Sequence, residues 1–220
     1  MESIKIITTE DGSHSLLNET LDETYHSRHG AKQESNYVFI DKGLNFFVDQ
    51  NSAKAVSILE IGFGTGLNAL LTAKKSSADQ IAINYTTIET DPLPPEIWKT
   101  LNYSLNDLLF EDIHEANWNE WVSLTPTFKL FKNQISLQQV VFNDEEFDVI
   151  YFDAFAPNKQ PEMWTYEMLE KVYRALKLNG VFVTYCAKGQ LKRDLKTLGM
   201  SVESLSGPPG KREMVRAIKL

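Results

Sequence analysis

Three acidic positions and one glycine-rich turn hold most of the chemistry available to this sequence. The turn is Glu60-x-Gly62-x-Gly64-x-Gly66. Alternating glycines between a strand and a helix let backbone approach a ligand closely and aim the helix's N-terminal amides at it. A pyrophosphate fingerprint, G-x-G-x-x-G, would need glycine at position 67, where this chain has Leu67, and dinucleotide binding is disfavoured accordingly. Glu89 closes the run INYTTIE, 23 residues after Gly66, and a carboxylate at a strand end can accept hydrogen bonds from both hydroxyls of a ribose. In LFKNQISL, Asn133 or Gln134 falls where such a site meets an adenine, and Asn133 is the preferred candidate. Asp153 opens Asp153-Ala154-Phe155-Ala156-Pro157 directly after the apolar run FDVIYF. Open α/β sheets place ligand chemistry beyond strand carboxyl ends, and a carboxylate there can orient an amine N–H or receive its proton. Alternatively, Asp153 caps the segment that follows.

These residues require a scaffold of alternating strands and helices. From Val56 onward the pattern is VSILEI, then GFGTGLNALLTAKK, then INYTTIE, and later FDVIYFDAF, a helical stretch around MWTYEMLEKVYRAL, and GVFVTYC. Apolar strand, glycine turn and amphipathic helix in repetition predict a mostly parallel central sheet flanked by helices, an α/β fold. SVESL and REMVRAIKL, joined by GPPG, predict two further strands, the second antiparallel. IKIITTEDGSHSLLN alternates around Asp11-Gly12 and predicts an N-terminal β-hairpin, whereas TLDETYHSRHGAKQESNYVFI has no clean period. The expected division is residues 1–50 as hairpin and substrate-side extension and 51–220 as cofactor-binding core, one domain overall.

Composition narrows the classes. The formal net charge is −8, which disfavours a nucleic-acid partner on average, yet residues 186–220 hold 8 Lys and Arg against 3 Asp and Glu, a basic end on an acidic chain. Cys186 is the single cysteine, so no internal disulfide and no multi-cysteine zinc site can form. His26-x-x-His29 lacks further ligands and is not read as a metal site; no metal is expected. There is no uninterrupted apolar run of membrane-spanning length and no signal-peptide pattern at the N-terminus, so a cytoplasmic protein without a membrane partner is expected. No phosphate-binding G-x-x-x-x-G-K-[ST] loop occurs.

The turn, with an acidic residue before it, resembles motif I of class I methyltransferases. FDVIYFDAFAPNKQPEMW, LEIGFGTGLNAL, the Ile88-Glu89 strand end, GPPGKREM and the ES-x-x-VF element from Glu34 to Phe39 extend that likeness. Together they resemble the methyltransferase domain of the MnmC family of tRNA 5-methylaminomethyl-2-thiouridine biosynthesis proteins, from about Tyr25 to Met214. The resemblance implies a class I Rossmann-like fold, S-adenosylmethionine as cofactor, and N-methylation of the 5-aminomethyl group of (2-thio)uridine at the tRNA wobble position. It assigns Glu60, Gly62, Gly64, Gly66, Glu89, Asn133 and Asp153 to the cofactor side, with Asp153 also the catalytic carboxylate.

Bifunctional members of that family carry a flavin-dependent oxidative domain for which 220 residues leave no room, so a stand-alone methyltransferase is expected, its amine substrate coming from an upstream tRNA-modifying complex or a separate oxidase. An anticodon-loop base is already unpaired and enters a pocket at small unstacking cost. Phe155 and Trp164 are candidates to stack on it, and Lys159, Lys188, Lys211 and Arg212, with Lys192, Arg193 and Lys196, are candidates to contact substrate or phosphates. Two alternatives remain: an aminopropyltransferase or methyltransferase acting on another amine, although DAFAP lacks the paired aspartates of the former, and a non-catalytic cofactor- or RNA-binding module.

Overall fold

The computed structural model describes residues 4–103 and 108–220. Two antiparallel strands, β1 (Ile4–Thr8) and β2 (His14–Asn18), form the expected hairpin, and a two-residue strand, β3 (Glu23–Thr24), pairs with β2. Residues 31–51 are helical throughout: α1 (Ala31–Ser35), a π-helical stretch over Asn36–Asn45, and α2 (Phe46–Asn51). The second half of the stretch without a clean period, from Ala31 on, is therefore helical, whereas its first half holds β3 and turns. The i→i+5 winding changes the repeat, and Val38, Phe39, Ile40, Gly43 and Leu44 all become buried.

The main sheet has eight strands: β4 (Ala55–Ile61), β5 (Ala82–Ile88), β6 (Trp121–Thr125), β7 (Phe128–Asn133), β8 (Phe147–Phe152), β9 (Leu176–Thr184), β10 (Met200–Ser206) and β11 (Glu213–Lys219). Their order is β10-β11-β9-β8-β4-β5-β7-β6. The five central strands are parallel, and β11, β10 and β6 add antiparallel edges. The antiparallel β11 matches the expectation from REMVRAIKL. The β6–β7 hairpin was not anticipated.

Both faces of the sheet are covered, as parallel sheets require. One face packs on residues 31–51, α3 (Leu67–Asp79) and α5 (Leu109–Glu115), burying Phe39, Ile58, Tyr85 and Tyr151. The other packs on α6 (Tyr166–Ala175) and α7 (Gly189–Thr197), burying Leu59, Ile61, Phe152 and Leu169. The short α4 (Pro95–Trp98) lies beyond β5 and buries Trp98. Along β4 the side chains alternate strictly, Ile58 and Glu60 toward the first face and Leu59 and Ile61 toward the second. Among the described residues no helix is long and apolar enough to cross a membrane.

Candidate active site

The carboxyl ends of β7, β5, β4, β8 and β9 share one rim of the sheet, and a cavity of about 800 Å³ opens along it. That volume suits a nucleotide-sized ligand and part of a second one. At its centre, β4 ends in the glycine turn, where Gly62, Gly64 and Gly66 have φ of 91°, 49° and 72°. A Cβ on Gly62 would lie 2.8 Å from the Asp153 carbonyl oxygen, so this glycine lets the ends of β4 and β8 converge and sets the loop beside Asp153. Gly66 starts α3 without a side-chain cap, and Leu67 and Asn68, in its first turn, border the cavity. First-turn amides have no partner within the helix and suit a polar ligand.

Glu89 ties this loop to β5. One of its oxygens accepts from Gly64 N–H at 3.0 Å, the other from Thr90 and Asp91 N–H at 2.8 and 3.0 Å. A carboxylate offers about four acceptor positions, so Glu89 keeps roughly one for a ligand hydroxyl, on the oxygen that anchors the loop. The ribose reading is thereby narrowed: Glu89 shapes the loop as much as it offers an acceptor. Next to it, Ile88, Ile135 and Leu137 supply apolar wall and Ser136 a hydroxyl, a lining that fits a flat heteroaromatic ring. These residues fit the nucleoside part of S-adenosylmethionine.

At the opposite end Asp153 lines the cavity, its Oδ2 accepting from Asn68 Nδ2 at 2.8 Å and its backbone N–H held by Ile61 O at 3.0 Å. Burial pushes its carboxyl up to about 7, helped by the charge of Glu34, while the Asn68 bond and Lys211 pull the other way. Glu34 is 5% exposed. It accepts from Ser27 N–H at 2.6 Å and pairs with the Lys211 ammonium, which also lies 3.8 Å from the Tyr185 ring centroid. Tyr185 O–H donates to Ala154 O at 2.8 Å. A buried contact of 2.7 Å between His26 Nε2 and Thr65 Oγ1 joins the N-terminal segment to the glycine loop, and burial lowers His26 to about 4, leaving it neutral.

Sequence reasoning singled out Gly62, Gly64, Glu89, Asp153, Phe155 and Lys211, and all border this cavity. Phe155 meets Tyr25 edge-on, with ring centroids 5.0 Å apart. Three placements are corrected. Glu60 is 0% exposed and lies beneath the loop, because strand alternation turns it toward the α3 face between Thr87 and Tyr151; it does not line the cavity. Asn133 ends β7, where its carbonyl accepts from Glu89 and Ile135 N–H, and the cavity wall is Ile135–Gln138 instead. Gln134 is exposed and outside that wall. Trp164 is 8% exposed, packs on Phe152 at 4.8 Å and donates Nε1–H to Phe155 O at 2.7 Å, so it braces the loop after β8 and is not free to stack on a base.

The basic candidates divide. Lys211 is turned inward to Glu34, Lys192 pairs with Glu213 at 2.6 Å, and Lys159 lies 3.8 Å from Asp22. Lys188, Arg193, Lys196 and Arg212 are exposed. Cys186 is buried, and burial raises its thiol. Among the described residues no group of three or more His, Cys, Asp or Glu could hold a metal. Asn68, Glu34, Tyr185 and the His26–Thr65 contact escaped sequence reasoning as site residues; only the ES-x-x-VF element pointed toward Glu34.

Residues 104–220 match the model of a family described as S-adenosyl-L-methionine-dependent methyltransferases. The bifunctional tRNA 5-methylaminomethyl-2-thiouridine biosynthesis protein MnmC of Nitrosospira multiformis is 27% identical over 207 residues, covering 88% of this chain and 34% of that protein. Its namesake in Leptospira interrogans is 31% identical over 215 residues, 90% of this chain and 33% of that one. The chain thus spans about a third of the length of these relatives. The crystal structure of MnmC2 from Aquifex aeolicus superposes with a TM-score of 0.79 at 25% identity, over 99% of this chain and 70% of that one. Over half the chain follows the family's sequence pattern, and the cavity at the carboxyl rim fits the family's cofactor: this chain belongs to the S-adenosyl-L-methionine-dependent methyltransferases.

Proposed function

We propose that this chain methylates the nitrogen of a 5-aminomethyl group on a (2-thio)uridine at the wobble position of tRNA, with Asp153 as the carboxylate that orients the amine and takes its proton. The observation that carries the reading is the Asp153 carboxylate, fixed by Asn68 at 2.8 Å in the wall of a cofactor-sized cavity. Bound S-adenosylmethionine supplies the electrophilic methyl group, set by Gly62, Gly64, Gly66 and Glu89 with the Ile135–Gln138 wall around its base. A protonated amine has no lone pair to offer, and a group poised near pH 7 can accept that proton and later release it to solvent. Asn68 aims the carboxylate. Glu34, Lys211 and Tyr185 close the acceptor side, so the substrate meets a walled slot in which a small aminomethyl arm can be held in line.

In this reading residues 1–50 serve as substrate-side extension to the 51–220 core, contributing Tyr25, His26 and Glu34 to the acceptor end. Lys188, Arg193, Lys196 and Arg212 contact phosphates of the anticodon loop, and Phe155, half-buried at the cavity edge, stacks on the presented base. The protein acts in the cytoplasm, on an amine delivered by an upstream tRNA-modifying complex or a separate oxidase. The names of the MnmC relatives and the match to MnmC2 support the tRNA assignment. The test is incubation with methyl-labelled S-adenosylmethionine and tRNA from a strain lacking this methyl group, followed by mass spectrometry of the nucleosides. Label on the 5-aminomethyl nitrogen is expected; cofactor binding without transfer to a verified aminomethyl-uridine acceptor would overturn the assignment.

A further inference from the structure

Beneath the glycine turn lies a set of buried polar groups of which the reaction above uses only the Asn68 amide N–H. Both oxygens of Glu60, Asn68 Oδ1, Thr87 Oγ1 and the hydroxyls of Tyr85 and Tyr151 are sequestered from solvent, and none closes a hydrogen bond of ordinary geometry. They are neighbours. Glu60 is in register with Thr87 on one side and Tyr151 on the other, and Thr87, Asn68 and Tyr85 face its carboxyl within reach. The titratable groups around it are Asp153, Tyr85 and Tyr151, none of them a cation. An unpaired buried charge is far costlier than a neutral group, and burial, helped by the charge of Asp153 and opposed by hydrogen bonding from Thr87, Asn68 and Tyr85, pushes Glu60 up to about 8, so it carries a proton at neutral pH.

That proton needs an acceptor and Asn68 Oδ1 needs a donor. The Asn68 amide already spends one N–H on Asp153 Oδ2, at 2.8 Å, which turns its carbonyl oxygen away from the cavity into the buried set. We infer that Glu60 is a positioning residue: its carboxyl O–H donates to Asn68 Oδ1 and thereby fixes the amide that holds Asp153 in the cavity wall. The acidic residue of the turn acts through α3 on the acceptor end, without lining the cavity. Deprotonating Glu60 would remove the donor and put a second negative charge near Asp153, and the chain Glu60, Asn68, Asp153 would fail together.

The inference rests on the proposed role of Asp153, and its test separates the two. Single-turnover methyl transfer by the full chain to aminomethyl-bearing tRNA is followed from about pH 6 to about pH 10 for wild type, Glu60→Gln, Glu60→Leu and Asp153→Asn, with cofactor affinity measured alongside. Wild-type turnover is expected to fall as pH rises above about 8. Glu60→Gln keeps an N–H donor; it should stay within about threefold of wild type at neutral pH and lose the high-pH fall. Glu60→Leu should turn over about tenfold more slowly or worse with cofactor affinity unchanged. Its acid limb should also move to higher pH, because Asp153 loses the fixed bond that lowers its pKa. A wild-type pH profile in Glu60→Leu, or the same high-pH behaviour in wild type and Glu60→Gln, overturns the inference. If Glu60→Leu lacks a cooperative melting transition, the comparison of wild type with Glu60→Gln decides alone. Unchanged turnover in Asp153→Asn would sink the role of Asp153 and this inference with it. Lost turnover there, with wild-type profiles in both Glu60 variants, would sink the positioning role only.

Discussion

At the cofactor end of the cavity, Gly62 to Gly66 and Glu89 come from two adjacent parallel strands and the turns that follow them, and they hold one another largely through backbone N–H groups. At the acceptor end, Glu34 and Lys211 are 177 positions apart in the chain, and Asp153, Asn68 and Tyr185 come from three further elements. The first end is a local motif with shape written into glycine dihedrals. The second is a tertiary assembly of partly buried charges whose protonation depends on every neighbour. In the proposed function, binding chemistry therefore rests on rigid backbone, and proton chemistry on side chains gathered from across the fold.

If that division is right, substitutions at the two ends should separate affinity from turnover. The largest effect is expected for Asp153→Asn: turnover should fall about 100-fold or more, while the cofactor Kd measured by calorimetry stays within about threefold of wild type. Glu89→Ala should do the reverse, weakening cofactor binding by about ten- to 100-fold through loss of the Gly64 anchor and the ligand acceptor, with a smaller change in kcat at saturating cofactor. Similar losses of affinity in both variants would erase the distinction.

Lys211→Met probes how charges are shared at the acceptor end. It removes a cation that lowers Asp153, so the acid limb of the rate profile should shift to higher pH. Losing the partner of Glu34 should also cost about 1–2 kcal/mol in urea unfolding, a value reduced because the Lys211 side chain is 30% exposed. The smallest effect is expected for Trp164→Phe. Losing the Nε1–H bond to Phe155 O costs about 1 kcal/mol and lowers Tm by a few degrees, with cofactor affinity unchanged.

The same division explains what could be read from the residues alone. Strands β4, β5, β8 and β9 are rich in apolar, aromatic and β-branched residues, and the glycine turn follows the first of them, so the parallel core and the position of that turn at its rim were legible. The helix at 31–51 was not, because its π-winding breaks the 3.6-residue period on which recognition depends. The β6–β7 hairpin hid because its two strands are separated only by Pro126 and Thr127 and carry exposed Trp121 and polar residues in place of an apolar run. Glu60 was misplaced by reading the turn as a ligand cradle from its first residue. The alternation Ile58, Leu59, Glu60, Ile61 already puts its carboxyl on the face covered by α3, opposite that of Leu59 and Ile61. Contacts such as Glu34 with Lys211 leave no local trace, since neither residue's neighbours in the chain encode the other.

The central claim is that Asp153 receives the acceptor's proton, and the pH dependence of single-turnover methyl transfer to aminomethyl-bearing tRNA tests it most directly. A raised folded-state pKa means Asp153 is protonated and inactive at low pH, so the rate should climb with pH and reach its midpoint near pH 7. Asp153→Asn should show a low rate without that limb. A wild-type rate that stays level across this range, with cofactor and tRNA both shown to be bound, would contradict the account.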